Sequence, residues 1–336
     1  GNGTWLKGNI SYSIDKVDLP AVDLQALKDE DAKNTDKGLP YRVGIVRNVH
    51  YTFSNCGRVD ILPDGSKLWR LTINSPNALM LNVYFSTFNI PEGASFYIYS
   101  GDRTQLTGTY TNSDVQENGV LASEDILGDE VTLEYHEPAN AAFKGEIVVN
   151  HISHIYRDFL NVREESKGYW GDAEGTCHFN VACSQGDGWR DQIKSVVFIM
   201  ITGSTGTYYC SGATINNTRM DKTPYVLTAN HCLDGTSSTF KFYFNYQTLT
   251  CEGTTGYYNR MANGGTIKAR ADLNTSSDFM LLQITGNLGV SYRDSIYFAG
   301  WDATGTASVG RAIHHPGGDY KKLSVPRVVY ASGNKY

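Results

Sequence analysis

The stretch Pro224-Tyr225-Val226-Leu227-Thr228-Ala229-Asn230-His231-Cys232 runs from an apolar segment straight into a histidine and a cysteine. Tyr225, Val226 and Leu227 favour extended backbone, so they predict a buried strand whose C-terminal end delivers His231 to a rim or cleft. A second strand-like segment opens at Cys210, in Cys210-Ser-Gly-Ala-Thr-Ile-Asn-Asn-Thr218. If Cys210 and Cys232 are joined, they close a loop of about twenty residues, worth roughly 3 kcal/mol in the chain-entropy description. A histidine held against such a bridge suits general-base chemistry, where a misplacement of about 1 Å can cost on the order of a hundredfold in rate. A structural histidine beside a structural bridge is the competing reading.

Composition narrows the class. With 336 residues the chain has room for two domains, each with its own core. The 22 tyrosines, 13 phenylalanines and 34 glycines, with only 19% charged residues, suit a β-rich protein with many turns. A net charge of -6 gives no basic footprint for nucleic acid. No apolar run reaches the length of a membrane span. Cysteines stand at 56, 177, 183, 210, 232 and 251, with no CxxC pair among them. Structural bridges in an oxidising compartment are therefore expected rather than a metal site. Five of the six fall in one cluster, so one of that odd number pairs with Cys56, stays free, or lacks a partner in this sequence.

Residues 1–38 read as a polar lead-in with one helical candidate near Ala21 to Lys33. Six strands follow, Tyr41 to Val46, Lys67 to Ile73, Met80 to Phe85, Ser95 to Tyr99, Val131 to Tyr135 and Ile147 to Ile155. Turn sequences such as Pro63-Asp64-Gly65 and Pro91-Glu92-Gly93 separate them, a pattern that predicts an antiparallel sandwich. His151 and His154 lie three apart on a strand and point to opposite faces, so no shared ion is expected; His314 and His315 fail in the same way. The expected domains are a sandwich over 1–160, a polar linker over 161–176 and a second domain over 177–336. Lys167-Gly168 in the linker is a candidate processing bond. Beyond it, Gln192 to Ile201, Cys210 to Ile215, Tyr225 to Ala229, Phe240 to Gln247 and Thr266 to Ala271 read as strands. In Asn274-Thr-Ser-Ser-Asp278-Phe-Met-Leu-Leu-Gln-Ile284 an aspartate stands at the mouth of an apolar strand. A partly buried carboxylate needs a donor, and an imidazole N–H is a suitable one. An aspartate capping a turn is the plainer alternative.

Thr228-Ala229-Asn230-His231-Cys232 and Ser277-Asp278-Phe279-Met280-Leu281-Leu282 together resemble the trypsin-like, chymotrypsin-fold serine peptidases. The match is nearest to secreted bacterial lysyl endopeptidases through Cys177 to Cys183, Gly186 to Ile193, Asn245-Tyr246-Gln247 before Cys251, Ala299-Gly300-Trp301-Asp302, and Ala312-Ile313-His314-His315-Pro316 to Lys322-Leu323-Ser324. The resemblance covers about 177 to 324, and the first half is matched by position and composition only. With the sandwich read from the strand pattern, the expected fold is an all-β chain, an N-terminal antiparallel β-sandwich followed by the chymotrypsin-like β-barrel that the resemblance implies, with the second barrel incomplete. His231 would be the general base and Asp278 its orienting acid. Bridges Cys210–Cys232 and Cys183–Cys251 are implied, with Cys177 pairing to a cysteine beyond the nucleophile.

The family's nucleophile sits in a Gly-x-Ser-Gly segment, which the 58 residues after Asp278 do not contain. Ser324 matches a strand position without a catalytic role, and Ser332 lacks the surrounding glycines. A triad without its serine typically loses about a millionfold in turnover. The expectation is therefore a truncated or nicked form of a secreted endopeptidase precursor, cleaving after Lys or Arg, periplasmic or at the cell surface. Its partners would be a polypeptide substrate and a C-terminal remainder of the same protein, with no nucleic acid, membrane span or metal cofactor. A catalytically dead binding relative is one alternative. An adhesion or carbohydrate-binding role for the sandwich is another, motivated by the aromatic strands Val83 to Phe88 and Ser95 to Tyr99.

Overall fold

The computed structural model describes residues 13–34, 40–116, 119–158, 178–233, 239–272, 276–302 and 310–325. The chain divides into two compact units, Gly1–Ala32 with Gly44–Arg157, and Lys33–Val43 with Asp158–Tyr336. Strands dominate both, with few helical residues.

The first unit is a sandwich of two sheets. Its elements are β1 (Asp15–Asp18), α1 (Leu24–Asn34), β2 (Tyr41–Tyr51), β3 (Arg58–Ile61), β4 (Lys67–Asn74), β5 (Met80–Asn89), β6 (Ser95–Ser100), β7 (Leu106–Tyr110), β8 (Leu121–Ala122), β9 (Ile126–Leu127), β10 (Glu130–Glu137) and β11 (Glu146–Ile155). One sheet runs β4-β10-β6-β7, with β3 and β1 sharing the free edge of β4. The other runs β2-β11-β5, with β8 and β9 on the far edge of β5. Pairing is antiparallel except at β1, which joins β4 in parallel and so departs from the expected all-antiparallel sandwich.

Period-two alternation builds the core. Trp69, Leu71 and Ile73 lie opposite Tyr135, Leu133 and Val131, and all six turn inward. Between them Thr72 and Thr132 share a 2.9 Å hydroxyl contact on the other face. Phe85, Phe88 and Phe96 meet edge to face inside the sandwich at 5.4 to 5.9 Å. Burying each such ring contributes about 1.5–3 kcal/mol. These three rings, from the strands that suggest a carbohydrate platform, are core, whereas Tyr97 and Tyr99 of the same strands are half-buried outside it.

The second unit holds β12 (His178–Asn180), α2 (Arg190–Ser195), β13 (Val196–Thr202), β14 (Gly206–Ile215), β15 (Tyr225–Thr228), β16 (Thr239–Phe244), β17 (Gln247–Thr248), β18 (Gly256–Tyr257), β19 (Arg260–Asn263), β20 (Gly265–Ala271), β21 (Phe279–Ile284), α3 (Val290–Ser295), β22 (Ala312–His314) and β23 (Lys322–Ser324). Strand order β19-β16-β13-β14-β15-β21-β20 wraps a nearly closed barrel. The chain passes from β19 to β20 through Gly264, whose φ of 91° turns the corner, and its N–H reaches the Phe240 carbonyl at 2.8 Å. Val197, Ile199, Ile201, Val226, Phe240, Phe242, Phe244, Met280 and Leu282 fill the interior. Gly212 on β14 lets the barrel close, since a Cβ there would stand 2.6 Å from Ile199 and 2.8 Å from Val226. A smaller sheet, β12-β23-β22, packs Leu323 with Val181 and Ile193.

Two strand expectations are corrected. Gln192 to Ser195 is not extended; it lies in α2, where the Ile193 N–H bonds the Trp189 carbonyl at 2.9 Å, and β13 starts only at Val196. Phe240 to Gln247 is not one strand, because Asn245 takes φ 53° and ends β16 at Phe244. Asparagine is among the few residues that adopt this conformation at low cost.

Candidate active site

β15 and β21 are neighbours in the barrel, with Thr228 opposite Met280 and Leu227 opposite Leu281. His231 follows β15 by three residues and Asp278 precedes β21 by one, so antiparallel pairing brings both to the same end of the sheet. The chain leaves β15 through a tight turn, Asn230–Cys232, that lifts the histidine off the strand. The His231 Nδ1–H donates to Asp278 Oδ2 at 2.7 Å, and the His231 backbone N–H donates to Oδ1 at 2.9 Å. A carboxylate only accepts, so this contact fixes the tautomer and leaves Nε2 with a free lone pair. The Asn230 N–H reaches the Asp278 carbonyl at 3.4 Å, and Asp278 itself sits at φ 48°.

Exposure is graded across the pair. The imidazole is 33% exposed and the carboxylate 18%. Burial pushes the Asp278 carboxyl up, but hydrogen bonds from the His231 ring and backbone outweigh it and hold the group below the ordinary aspartate range. The arrangement can take a proton at Nε2 and stabilise the resulting imidazolium.

The surroundings keep this end rigid. Cys210 and Cys232 form a bridge from β14 to the histidine turn, and Thr228 Oγ1 donates to the Ser211 carbonyl at 2.8 Å. Cys183 and Cys251 form a second bridge elsewhere in the unit. Cys210, His231 and Cys232 are the one grouping of three or more His, Cys, Asp or Glu ligand atoms among the described residues, all within 4.8 Å of one another. Both sulfurs are joined to each other, so neither offers a thiolate.

The other candidates fall in separate surroundings. His154 is buried and bonds Ser75 Oγ at 2.8 Å, whereas His151 stacks on Tyr84 at 4.3 Å; burial pushes both rings down to about 4. His315 is buried against Phe198 and Tyr246, apart from the His314 ring. Cys56 is a half-buried free thiol, so it joins neither bridge. Ser324 stands on β23 opposite His178. Lys167, Gly168, Cys177 and Ser332 lie outside the described residues. No serine hydroxyl among the described residues bonds His231. Sequence reading missed the Asn230 side chain, next to His231 in the chain, whose buried Oδ1 has no hydrogen-bond partner; nothing in the local pattern signals it.

Comparison with known proteins covers both units. Residues 17–156 match the lysyl endopeptidase N-terminal domain, and residues 171–335 match the domain described as lysyl endopeptidase, C-terminal domain. A lysyl endopeptidase of Pseudomonas aeruginosa is 27% identical over 280 residues, which is 78% of this chain and 58% of that protein. The chain thus spans a little over half the length of that relative. No helix among the described residues is long and apolar enough to cross a membrane. Matched along both halves and in the same order, the chain belongs to the lysyl endopeptidase-like serine peptidases.

Proposed function

We propose that this chain carries the general base and orienting acid of a secreted serine endopeptidase that cleaves polypeptides after lysine or arginine. One observation carries the reading, the double hydrogen bond from His231 to Asp278 at a partly exposed end of the barrel. The serine nucleophile comes from a segment outside these 336 residues, in keeping with the 58% coverage of the relative. In that reading Nε2 of His231 takes the serine hydroxyl proton as Oγ bonds the scissile carbonyl carbon. Asp278 holds the imidazolium until its proton passes to the leaving amine, which departs as the acyl-enzyme forms. Water then attacks the acyl carbon with the same base, and the serine regains its proton.

The two bridges suit an oxidising, extracytoplasmic compartment. Residues 1–160 act as the propeptide, in a folding or latency role, with Lys167-Gly168 as the processing bond. The test is His231→Ala in the product of the complete gene, assayed on lysyl and arginyl ester substrates. Turnover is expected to fall about a millionfold with little change in KM. Hydrolysis at the parent rate sinks the assignment.

A further inference from the structure

The small sheet β12-β23-β22 carries a polar cluster that the peptidase reading does not use. His178 pairs with Ser324, and His314 pairs with Lys322. Opposed residues of an antiparallel ladder share a face, and Lys322 and Ser324 are two apart, so all four side chains rise from the same side. Lys322 is occupied, with its Nζ 2.7 Å from Asn180 Oδ1 and 3.4 Å from the Asp319 carboxylate, which offsets its charge. The two imidazoles instead lean toward each other over the central strand, ring centroids 5.1 Å apart and planes at 80°.

Three polar atoms here are buried without a hydrogen-bond partner among the described residues, Nδ1 of His178, Nδ1 of His314 and Oγ of Ser324. Stranding one such atom costs free energy, and three across one strand call for a guest. The ring spacing is that of an edge-to-face pair, and it also matches two imidazoles sharing one ion. Zinc holds an imidazole nitrogen at about 2.0–2.1 Å, and a tetrahedral angle at the ion then sets two bound ring centroids about 5 Å apart.

We propose that His178 and His314 bind a divalent transition-metal ion of the zinc class through their Nδ1 atoms, with Ser324 Oγ or water completing the shell. The ion would clip β12 to β22 across β23. Imidazole donors suit zinc, copper and nickel better than calcium or magnesium.

The experiment titrates zinc into the full chain at pH 7.5 by calorimetry and follows the melting temperature with and without EDTA. One zinc per chain and a raised melting temperature are expected. His178→Gln and His314→Gln should each weaken binding at least tenfold, since losing even a supporting partner of a metal ligand costs about 10–100-fold. His231→Gln should leave this affinity unchanged. Absence of zinc binding, or binding indifferent to both substitutions, would mean that the cluster holds water alone and would overturn the proposal. Should both variants misfold, electron paramagnetic resonance of the wild-type chain with one equivalent of Cu2+ decides. Superhyperfine coupling to two imidazole nitrogens supports the site, and its absence overturns it.

Discussion

Asp278 serves the histidine twice, one carboxylate oxygen fixing the His231 backbone and the other its ring. Asp278 makes both contacts from a positive φ, which a short polar side chain tolerates. Asp278→Asn therefore keeps the backbone conformation yet turns an amide toward Nδ1, which favours the wrong tautomer. In the proposed peptidase, kcat should fall on the order of 10⁴, as this change does in chymotrypsin-type triads, with KM nearly unmoved; a drop of less than tenfold would contradict the assigned role. The depressed carboxyl also sets an acid limb. Its native pKa lies below the unfolded value of about 3.9, so its contribution is present above that pH and is lost as pH falls through the native value. The pair was legible in the sequence because each residue ends a strand whose apolar run is visible. His178 and His314 were not, because 136 residues of chain separate them and only the register of β23 unites them.

At the level of elements, strands that face a core announced themselves, and those at edges did not. Lys67 to Ile73, Met80 to Phe85 and Val131 to Tyr135 all lie within observed strands because their alternation records burial. β1, with sequence Asp-Lys-Val-Asp, and β3, with Arg-Val-Asp-Ile, are edge strands whose solvent-facing side leaves no apolar pattern. α2 escaped because six residues cannot display a helical period, although Asp191 in its first turn and Lys194 in its last fit a helix dipole. Its C-terminal end is met by an unexpected partner, the fully buried Lys321, whose Nζ donates to the Ile193 carbonyl at 2.8 Å. Burial pushes this amine down to about 7. Since the unfolded amine titrates near 10.4, the unfolded chain binds more protons between about pH 7 and pH 10, and the contribution to stability is lost as pH falls through 7. Lys321→Met should accordingly stabilise the second unit most below pH 7, by a few kcal/mol at about 1.4 kcal/mol per displaced pH unit. The lost hydrogen bond returns about 1 kcal/mol of that gain. Urea midpoints of parent and variant at pH 6 and pH 10 read the difference; an offset equal at both values would contradict a neutral buried amine.

The whole molecule distributes its covalent links unevenly. The sandwich relies on one continuous apolar core, and its cysteine, Cys56, is an unpaired thiol that burial pushes up and so keeps poorly nucleophilic. Among the described residues of the second unit two bridges span sequence separations of 68 and 22 residues. In the chain-entropy description each such loop is worth about 3–4 kcal/mol, a large share of the roughly 5–15 kcal/mol that holds a typical domain folded. Reduction should therefore act on one unit and spare the other. Hydrogen exchange read by mass spectrometry, with and without dithiothreitol under native conditions, is expected to lose protection across β13, β14, β15, β16 and β21 while β4, β5, β10 and β11 keep theirs. Equal loss in both units would mean that the sandwich draws its stability from the bridged barrel, and no loss in either would mean that the apolar interior of the barrel suffices without its sulfurs. The separation matters for the proposed peptidase, because the bridge from Cys210 to Cys232 ends beside His231. Reduction should disorder the base along with the barrel, and activity should disappear in step with the loss of protection in β15, with the sandwich still folded.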